Sequence, residues 1–128
     1  SEVQNGLLKV IIDEMQRLNA SPVDPWLSHL RDYMQENLTA KLTLADLAQQ
    51  GAMSKYAFVR KFKRLSGRTP MRELQALRLN QARTLLLTSG LPVKAIAPEV
   101  GLGDEYQLSK LFRRHFKLSP TELRTRAR

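Results

Sequence analysis

A repeat of about fifty residues limits what this chain can fold into. Residues 43–53 (TLADLAQQGAM) align with residues 92–102 (PVKAIAPEVGL), and residues 54–70 (SKYAFVRKFKRLSGRTP) align with residues 104–120 (DEYQLSKLFRRHFKLSP), with Gly103 as the extra residue between the two aligned blocks. The alignment places apolar residues opposite apolar residues. A period of this length is the size of one supersecondary unit, but two copies are too few for a solenoid. The sequence therefore predicts two similar units in tandem.

The second half of each copy has the pattern of an amphipathic helix. Ser54 and Asp104 are residue types that cap the start of a helix. Apolar residues then recur at the spacing that places them on one side of a helix. The residues predicted to be buried are Phe58, Phe62 and Leu65 in the first copy and Leu108, Leu111, Phe112 and His115 in the second. These patterns predict helices over about 54–65 and 104–116.

The opposite side of each of these helices carries groups that can contact DNA. The residues predicted to face outward are Tyr56, Val59, Arg60 and Lys63 in the first copy and Tyr106, Ser109, Lys110 and Arg113 in the second. Phenol, hydroxyl, ammonium and guanidinium groups can reach base edges or phosphates in a major groove. A short helix precedes the first of them, because Thr43 followed by Asp46 has the pattern of a capping box. Two helices joined by a short turn, the second outward-facing and basic, predict a helix-turn-helix.

The segment between the copies predicts a long linker helix. Thr69 can cap it, Pro70 suits its first position, and Gly90 lies beyond its end, so the helix should cover about 70–88. At ~1.5 Å per residue it would be ~27 Å long, close to one ~34 Å turn of DNA once the width of the units is added. The predicted fold is all-α, with helix-turn-helix subdomains over about 25–68 and 91–126 and an extra N-terminal helix.

The N-terminal region is predicted to be a separate segment. Residues 3–19 have the pattern of an apolar helix, and the two prolines within residues 20–25 break it, so the boundary lies between 1–21 and 22–128. The apolar helix either packs on the rest of the chain or is the remnant of an effector or dimerisation domain. Because the chain begins with Ser1 and not with methionine, we expect that an upstream part was removed.

The beginning of the next helix and its single tryptophan are also predicted. Asp24 can cap a helix with Pro25 at its first position. Trp26 is predicted to be a core anchor and not a base-stacking platform, because no basic residue lies next to it in the sequence.

The positive charge is confined to the repeated part. Residues 1–50 hold four cations and seven anions, for a net charge of −3, whereas residues 51–128 hold 17 cations and five anions, for a net charge of +12. Such a surface binds polyanions because displaced counterions contribute to the affinity. The alternative is a solvated basic face without a partner.

The residue inventory argues against an enzyme. There are two histidines, no cysteine, no glycine-rich phosphate loop and no paired carboxylates, so we expect no catalytic residues, metal or cofactor. No run of ~18 apolar residues is present, so no membrane span is expected. Besides a sequence-specific DNA-binding protein, a sequence-independent architectural or RNA-binding module also fits the charge.

The motifs resemble those of the AraC/XylS-type transcription regulators, over roughly residues 25–126. The resemblance rests on LTLADLAQQGAMSKYAFVRKFKRLSGRTPMREL in the first copy and VGLGDEYQLSKLFRRHFKLSPTEL in the second. It implies a bacterial, cytoplasmic regulator that binds double-stranded promoter DNA through two successive major grooves, and favours an activator that works with RNA polymerase. A homodimer through residues 3–19 or through a missing upstream domain is a further expectation.

The resemblance also implies which residues contact DNA. The exposed first half of each recognition helix should contact bases, through Tyr56, Val59, Arg60, Glu105, Tyr106, Ser109 and Lys110. The predicted phosphate contacts are Ser54, Lys55, Lys61, Lys63, Arg64, Arg113 and Arg114. Alternatives stay open at three kinds of position. Arg60 could instead bind phosphate, either tyrosine could be a partly buried structural phenol, and Glu105 could accept from cytosine or merely favour the helix start.

Several positions depart from the family pattern. Ala52 replaces a turn glycine, Gln107 replaces an aromatic residue, and Lys110 replaces an arginine, so the second unit should discriminate guanine less sharply. Pro98 should bend or loosen the short helix of the second unit, unless it lies in the first turn of that helix. At the C-terminus, Ser119 to Glu122 predict a capped last helix. The three arginines after it, Arg124, Arg126 and Arg128, are predicted to be phosphate contacts or a frayed basic end.

Overall fold

The computed structural model describes residues 24–128, which form seven α-helices and no strand. The helices are α1 Pro25–Glu36, α2 Leu44–Gln50, α3 Lys55–Ser66, α4 Pro70–Thr88, α5 Val93–Glu99, α6 Glu105–Phe116 and α7 Pro120–Arg126. The predicted all-α fold with two helix-turn-helix units and a linker helix is therefore confirmed. The predicted helix over 3–19 and the break over residues 20–23 lie outside the described residues.

The helices start where side chains satisfy the free N–H groups of their first turns. Asp24 Oδ1 accepts from the backbone N of Trp26 at 2.9 Å and of Leu27 at 3.1 Å. Thr43 and Asp46 form the predicted capping box at α2, and Ser119 and Glu122 form another at α7. Each such cap contributes about 0.5–2 kcal/mol. The remaining predicted caps, Ser54, Thr69 and Asp104, also accept the expected backbone hydrogen bonds.

The first core lies between α1, α2, α3 and the beginning of α4. Its buried side chains are Leu27, Leu30, Met34, Leu38, Leu47, Ala48, Phe58, Phe62 and Leu74. Trp26 closes one side of this core, with its ring edge-on to Phe58 and Phe62 and its indole N–H donating to Gly51 O at 3.0 Å. The prediction of Trp26 as a core anchor is confirmed. Lys61 Nζ also lies 4.4 Å above its ring, a basic neighbour that the local sequence did not indicate.

The second core repeats this arrangement around the end of α4. Its buried side chains are Leu79, Ala82, Leu86, Ile96, Ala97, Val100, Leu102, Leu108 and Phe112. Linker helix α4 contributes to both cores, Leu74 to the first and Leu79, Ala82 and Leu86 to the second. The repeat in the sequence is therefore a repeat of two cores on one shared helix.

Two residues predicted to be buried are exposed. Leu65 has 37% of its surface accessible, and His115 is exposed with its ring edge-on to Phe116. They occupy the same position in the two copies, in the last turn of the recognition helix. There the helix turns the next residue, Ser66 or Phe116, toward the protein instead. The prediction that His115 is packed on the apolar side was therefore wrong.

Pro98 is accommodated by the end of α5. It is the sixth of seven helical residues, so it does not lie in the first turn, and the helix stops one residue later at Glu99. A proline lacks the N–H that would bond to the fourth residue before it. The matching helix α2 has no proline, yet it also has seven residues and ends at the equivalent position, Gln50. The predicted bending or loosening is therefore not seen in the length of α5.

The two units also touch each other directly. Arg78 of α4 donates from Nε to Leu38 O and from a terminal nitrogen to Ala40 O, both at 2.8 Å. Gly101 of the second unit lies against the same carbonyl, because a Cβ on Gly101 would be 2.1 Å from Leu38 O and 2.8 Å from Arg78 Nε. Burial lowers the pKa of Arg78, but a guanidinium remains charged throughout the physiological range.

Candidate nucleic-acid interface

The recognition helices α3 and α6 present matching exposed faces. Tyr56 is 73% exposed and Tyr106, at the matching position of the second copy, is 75% exposed, so neither is a buried structural phenol. Arg60 and its counterpart Lys110 are also exposed. An exposed aromatic ring one turn before an exposed cation, repeated in both units, is the arrangement expected for contact with a groove.

The other predicted base contacts lie on or beside these faces. Val59 and its counterpart Ser109 are half-buried, and Val59 packs against the first core. Only part of the Val59 side chain is thus available to touch a thymine methyl group. Glu105 is exposed in the first turn of α6, next to the capping residue Asp104. That position favours a carboxylate through the helix dipole, and it leaves the side chain free to reach a base.

Tyr56 and Arg60 form a local pair in the first unit. An Arg60 terminal nitrogen donates to Tyr56 Oη at 3.4 Å, and the guanidinium carbon lies 5.4 Å from the centre of the tyrosine ring. An open hollow of about 290 Å³ lies beside this pair, lined by Met53, Tyr56, Ala57, Arg60, Lys61 and Arg64. The weak hydrogen bond occupies one donor of Arg60 and leaves the others available for a base or phosphate oxygen.

The second unit has no equivalent pair among the described side chains. Lysine at position 110 is a point donor and lacks the planar fork of arginine. The two recognition helices therefore present similar faces with different chemistry at the central cation.

Six of the seven predicted phosphate contacts are exposed, namely Ser54, Lys55, Lys63, Arg64, Arg113 and Arg114. Two of the seven cations and hydroxyls also contact an aromatic or acidic side chain of the protein. Lys61 lies over the Trp26 ring, and Arg113 has a terminal nitrogen 3.6 Å from Glu122 Oε1. Lys61 and Arg113 would therefore have to contact a phosphate and the protein at the same time.

The turn before each recognition helix uses the left-handed backbone region. Ala52 has φ +59° and the matching Gly101 has φ +80°. The predicted departure at Ala52 therefore places a side chain in a conformation that favours glycine by roughly 1–2 kcal/mol. The neighbouring Gly51 serves packing, since a Cβ there would lie 2.9 Å from the Phe58 ring and 3.1 Å from the Trp26 ring.

A buried carboxylate holds the loop after α3. Glu73 is 5% exposed, with Oε2 at 2.8 Å from Arg31 Nε and Oε1 at 3.2 Å from Arg68 Nε. The Arg31 contact is a hydrogen bond, whereas the Arg68 contact is an ion pair without hydrogen-bond alignment. Arg68 lies two residues after the end of α3, so its ion pair with Glu73 holds this loop against α4. The Arg31 contact joins residues 42 apart, and no local sequence signal could have revealed it.

Arg124 was predicted to be a phosphate contact or a frayed end, and the structure shows a third role. Its guanidinium donates to Leu86 O at 3.2 Å, to Ser89 O at 3.1 Å and to Leu91 O at 2.6 Å. These carbonyls lie at and just beyond the end of α4, where the last carbonyls of a helix lack partners within it. Arg124 therefore holds α7 against the end of the linker helix. The alternative of a frayed end is wrong for this residue, and the phosphate contact stays a prediction.

Two carboxylates at helix starts have lowered pKa values. The backbone N–H of Thr43 holds the pKa of Asp46 below its ordinary value, and the Thr43 hydroxyl adds to this. The backbone N–H of Ser119 lowers the pKa of Glu122, and the charges of Arg113 and Arg126 add to this. Hydrogen bonds to the ionised form favour that form.

Other kinds of site have little support in the described part of the chain. Between residues 24 and 128, no group of three or more His, Cys, Asp or Glu side chains is arranged to hold a metal ion. No helix there is both long and apolar enough to cross a membrane. The exposed features that are repeated in both units are the basic faces of α3 and α6.

Two helix-turn-helix units, each with an outward basic second helix and both packed on one shared linker helix, define a DNA-binding domain. A family profile described as a helix-turn-helix domain matches residues 47–126. The chain is 38% identical over 102 residues to the MmsAB operon regulatory protein of Pseudomonas aeruginosa and 37% identical over 101 residues to the HTH-type transcriptional activator RhaS of Salmonella schwarzengrund. These matches cover 80% and 79% of this chain but 33% and 36% of the relatives. The chain thus spans about a third of the length of the curated relatives it matches.

Solved structures agree with this classification. A transcriptional regulator with an AraC-type DNA-binding domain from Chromobacterium violaceum superposes with a TM-score of 0.76 at 29% identity, over 80% of this chain and 92% of that one. The DNA-binding domain of AdpA, solved in complex with a target DNA, superposes with a TM-score of 0.74 at 31% identity, over 78% of this chain and 90% of that one. The chain belongs to the AraC-type helix-turn-helix family, and the resemblance seen in the sequence is confirmed.

Proposed function

We propose that residues 22–128 bind double-stranded promoter DNA sequence-specifically and regulate transcription, with α3 and α6 in successive major grooves. The observation that carries this proposal is the repetition of the same exposed face on two units that share α4. Nineteen residues in α4 make a rod of about 28 Å. A linker of this length suits two recognition helices that enter grooves one ~34 Å turn of the duplex apart.

The likeness to a DNA-bound domain supports this placement. Superposition on the AdpA domain extends over 78% of this chain, which must include parts of both units. A match of that extent requires a similar arrangement of one unit relative to the other. The net charge of +12 over residues 51–128 favours the same partner, because phosphate neutralisation supplies sequence-independent affinity.

The exposed residues divide into two proposed roles. Arg60, Tyr56, Tyr106, Ser109 and Lys110 read bases, with a smaller contribution from Val59 and with Glu105 at the rim. The exposed cations around them, above all Lys63, Arg64 and Arg114, bind phosphates and set the register without reading sequence. Lys61 and Arg113 do so more weakly, since each also contacts the protein.

The wider role follows from the relatives. RhaS is named as a transcriptional activator, and on that basis we propose activation, with RNA polymerase as a partner, in the bacterial cytoplasm where promoter DNA is found. Because the curated relatives are about three times longer than this chain, we propose that residues 1–21 lead from an upstream sensing or dimerisation domain. An enzymatic role has no support from these relatives, which are named as regulators.

Selection from a random duplex library tests the proposal. The chain should enrich one site and bind it at least ~10³-fold more tightly than random DNA. Arg60→Ala should cost about 1–3 kcal/mol and relax the preference at one base step, whereas Lys63→Ala should weaken all sites alike. Both variants remove one charge from the same helix, so each is the control for the other. Equal affinity for all duplexes would instead indicate an architectural protein, and an unchanged ranking of sites with Arg60→Ala would remove its base-reading role.

A further inference from the structure

We propose that Arg78, seated between Leu38, Ala40 and Gly101, is a positioning residue that sets which spacing of two DNA half-sites the chain accepts. This inference rests on the proposed function. Arg78 itself lies on α4, between the two cores. Its role is to hold the first unit at one angle to the second.

The contacts that carry this inference join three parts of the chain. The guanidinium spans two carbonyls of the loop after α1, at 2.8 Å each, across 40 and 38 residues of sequence. A guanidinium presents several donors in a rigid plane, so two bonds of this kind fix both position and orientation. The loop that it holds belongs to the first unit, whereas the helix that carries Arg78 continues into the second.

Gly101 adds a contact from the second unit itself. Its α-carbon approaches Leu38 so closely that an added Cβ would stand 2.1 Å from the carbonyl oxygen. The turn of the second helix-turn-helix thus rests on the same peptide group that Arg78 grips from the linker helix. We call Arg78, Leu38, Ala40 and Gly101 the inter-unit clasp.

The clasp would act through effective concentration. Once one unit is bound to its half-site, the second binds as an intramolecular event, and its contribution is greatest when it is already held at the matching distance and angle. A fixed angle therefore favours one spacing and penalises others. If the clasp were loosened, the best spacing would lose affinity and incorrect spacings would be tolerated better.

The test compares the chain with Arg78→Ala on duplexes that carry the selected site, the same site with three base pairs inserted between its halves, and each half-site alone. For the unaltered chain, the insertion rotates one half-site by about 100° and should cost roughly 100-fold in affinity. Arg78→Ala should bind the unaltered site roughly tenfold more weakly, tolerate the insertion with a loss of tenfold or less, and bind each half-site within about twofold of the unaltered chain.

Arg83→Ala is the matched control. Arg83 is exposed on the same helix, with its guanidinium 4.9 Å from the Phe116 ring of the second unit, and between residues 24 and 128 it makes no hydrogen bond or ion pair to the first unit. The Arg83→Ala variant loses one positive charge, as Arg78→Ala does, but it keeps the clasp. We therefore expect its spacing preference to equal that of the unaltered chain. The proposal is overturned if Arg78→Ala keeps the full spacing preference, if it weakens half-sites as much as the whole site, or if Arg83→Ala has the same effect.

A measurement without DNA tests the inter-unit clasp independently of the proposed function. It also tests the clasp if the Arg78→Ala variant folds poorly. The chain has no cysteine, so His29→Cys and Thr125→Cys provide unique spin labels on the two units. The two labelled positions lie near different parts of α4. Position 29 is close to Arg31, which binds Glu73, and position 125 is next to Arg124, which binds Leu86 O. Glu73 and Leu86 are 13 residues apart on α4, or about 20 Å. Pulsed dipolar spectroscopy should give one narrow distance distribution, and a broader one with Arg78→Lys, which keeps the charge but not the two-donor plane.

Equally narrow distributions would overturn the clasp whatever the DNA experiments show. A broader distribution in the Arg78→Lys chain, together with an unaltered chain that binds no DNA, would support the clasp and refute the proposed function.

Discussion

Replacing Gly101 by alanine tests how closely the two units approach each other. Gly101 has φ +80°, and an added Cβ would stand 2.1 Å from Leu38 O and 2.8 Å from Arg78 Nε. The first of these atoms is backbone and cannot rotate away. Real Cβ atoms essentially never come within 3.0 Å of such an atom, so the 2.1 Å contact requires the two units to separate by about 0.9 Å or more.

The expected loss of stability in Gly101→Ala has two parts. Alanine in the left-handed region costs about 1–2 kcal/mol, and the lower entropy of its unfolded chain returns about 0.4–1 kcal/mol, for a net loss of about 1 kcal/mol. Forcing an extra methyl group into a packed contact adds about 1–3 kcal/mol. We therefore expect Gly101→Ala to lower the free energy of unfolding by roughly 2–4 kcal/mol.

Gly67→Ala isolates the first part. Gly67 ends α3 with φ +88° and has no atom within 4 Å of an added Cβ, so its replacement should cost only about 1 kcal/mol. Urea denaturation followed by circular dichroism measures both variants. If Gly101→Ala cost no more than Gly67→Ala, the close approach of Gly101 to Leu38, and with it the inter-unit clasp, would be refuted.

Three further predictions concern the described helices and the loop after α3. Ala52→Gly should stabilise the chain by about 0.5–1 kcal/mol, because glycine relieves the strain at φ +59° more than it raises unfolded-chain entropy; an unchanged or lower urea midpoint would contradict this. Glu73→Ala should cost about 1–3 kcal/mol, less than a fully buried pair, because its partners are 40% and 47% exposed and regain hydration; a thermal midpoint equal to that of the unaltered chain would show that the ion pairs are not needed. Asp46 and Glu122 have lowered pKa values, so their stabilisation should be complete above the ordinary values of 3.8 and 4.5 and lost as the pH falls through the lower folded values. Denaturation between about pH 5 and pH 2 should show this loss, and Asp46→Asn with Glu122→Gln should flatten it; an unflattened curve would place the effect elsewhere.

Local chemistry made the helix boundaries predictable. A cap is a contact between residues two or three apart, so the starts at Asp24, Thr43 and Ser119 could be read from neighbouring letters. The repeat in the sequence also predicted which positions of the two units correspond. One such match is Ala52 with Gly101, and both residues adopt positive φ. These features depend on short-range contacts and on comparison of the chain with itself.

The contacts that hold helices and loops together across long sequence separations could not be predicted in this way. Arg78, Arg124 and Glu73 each bind partners more than 30 residues away, and their sequence surroundings do not differ from those of solvated charges. Periodicity also failed in the last turn of each recognition helix. Leu65 and His115 continue the apolar spacing, but the next residue, Ser66 or Phe116, turns toward the protein instead.

The predicted base contacts were partly clarified by burial. Tyr56 and Tyr106 are exposed, which removes the alternative of buried phenols, whereas half-burial limits what Val59 can reach. Whether a given exposed side chain reads a base depends on a duplex that lies outside the chain. Those roles therefore remain predictions.

Methylation protection of the selected duplex tests most directly whether one chain occupies two successive major grooves. Dimethyl sulfate reacts at guanine N7, which faces the major groove. The account predicts two protected clusters on one face, with centres about 10–10.5 base pairs apart. Arg60→Ala should weaken one cluster and Lys110→Ala the other. A single protected cluster, or two clusters on opposite faces of the duplex, would contradict it.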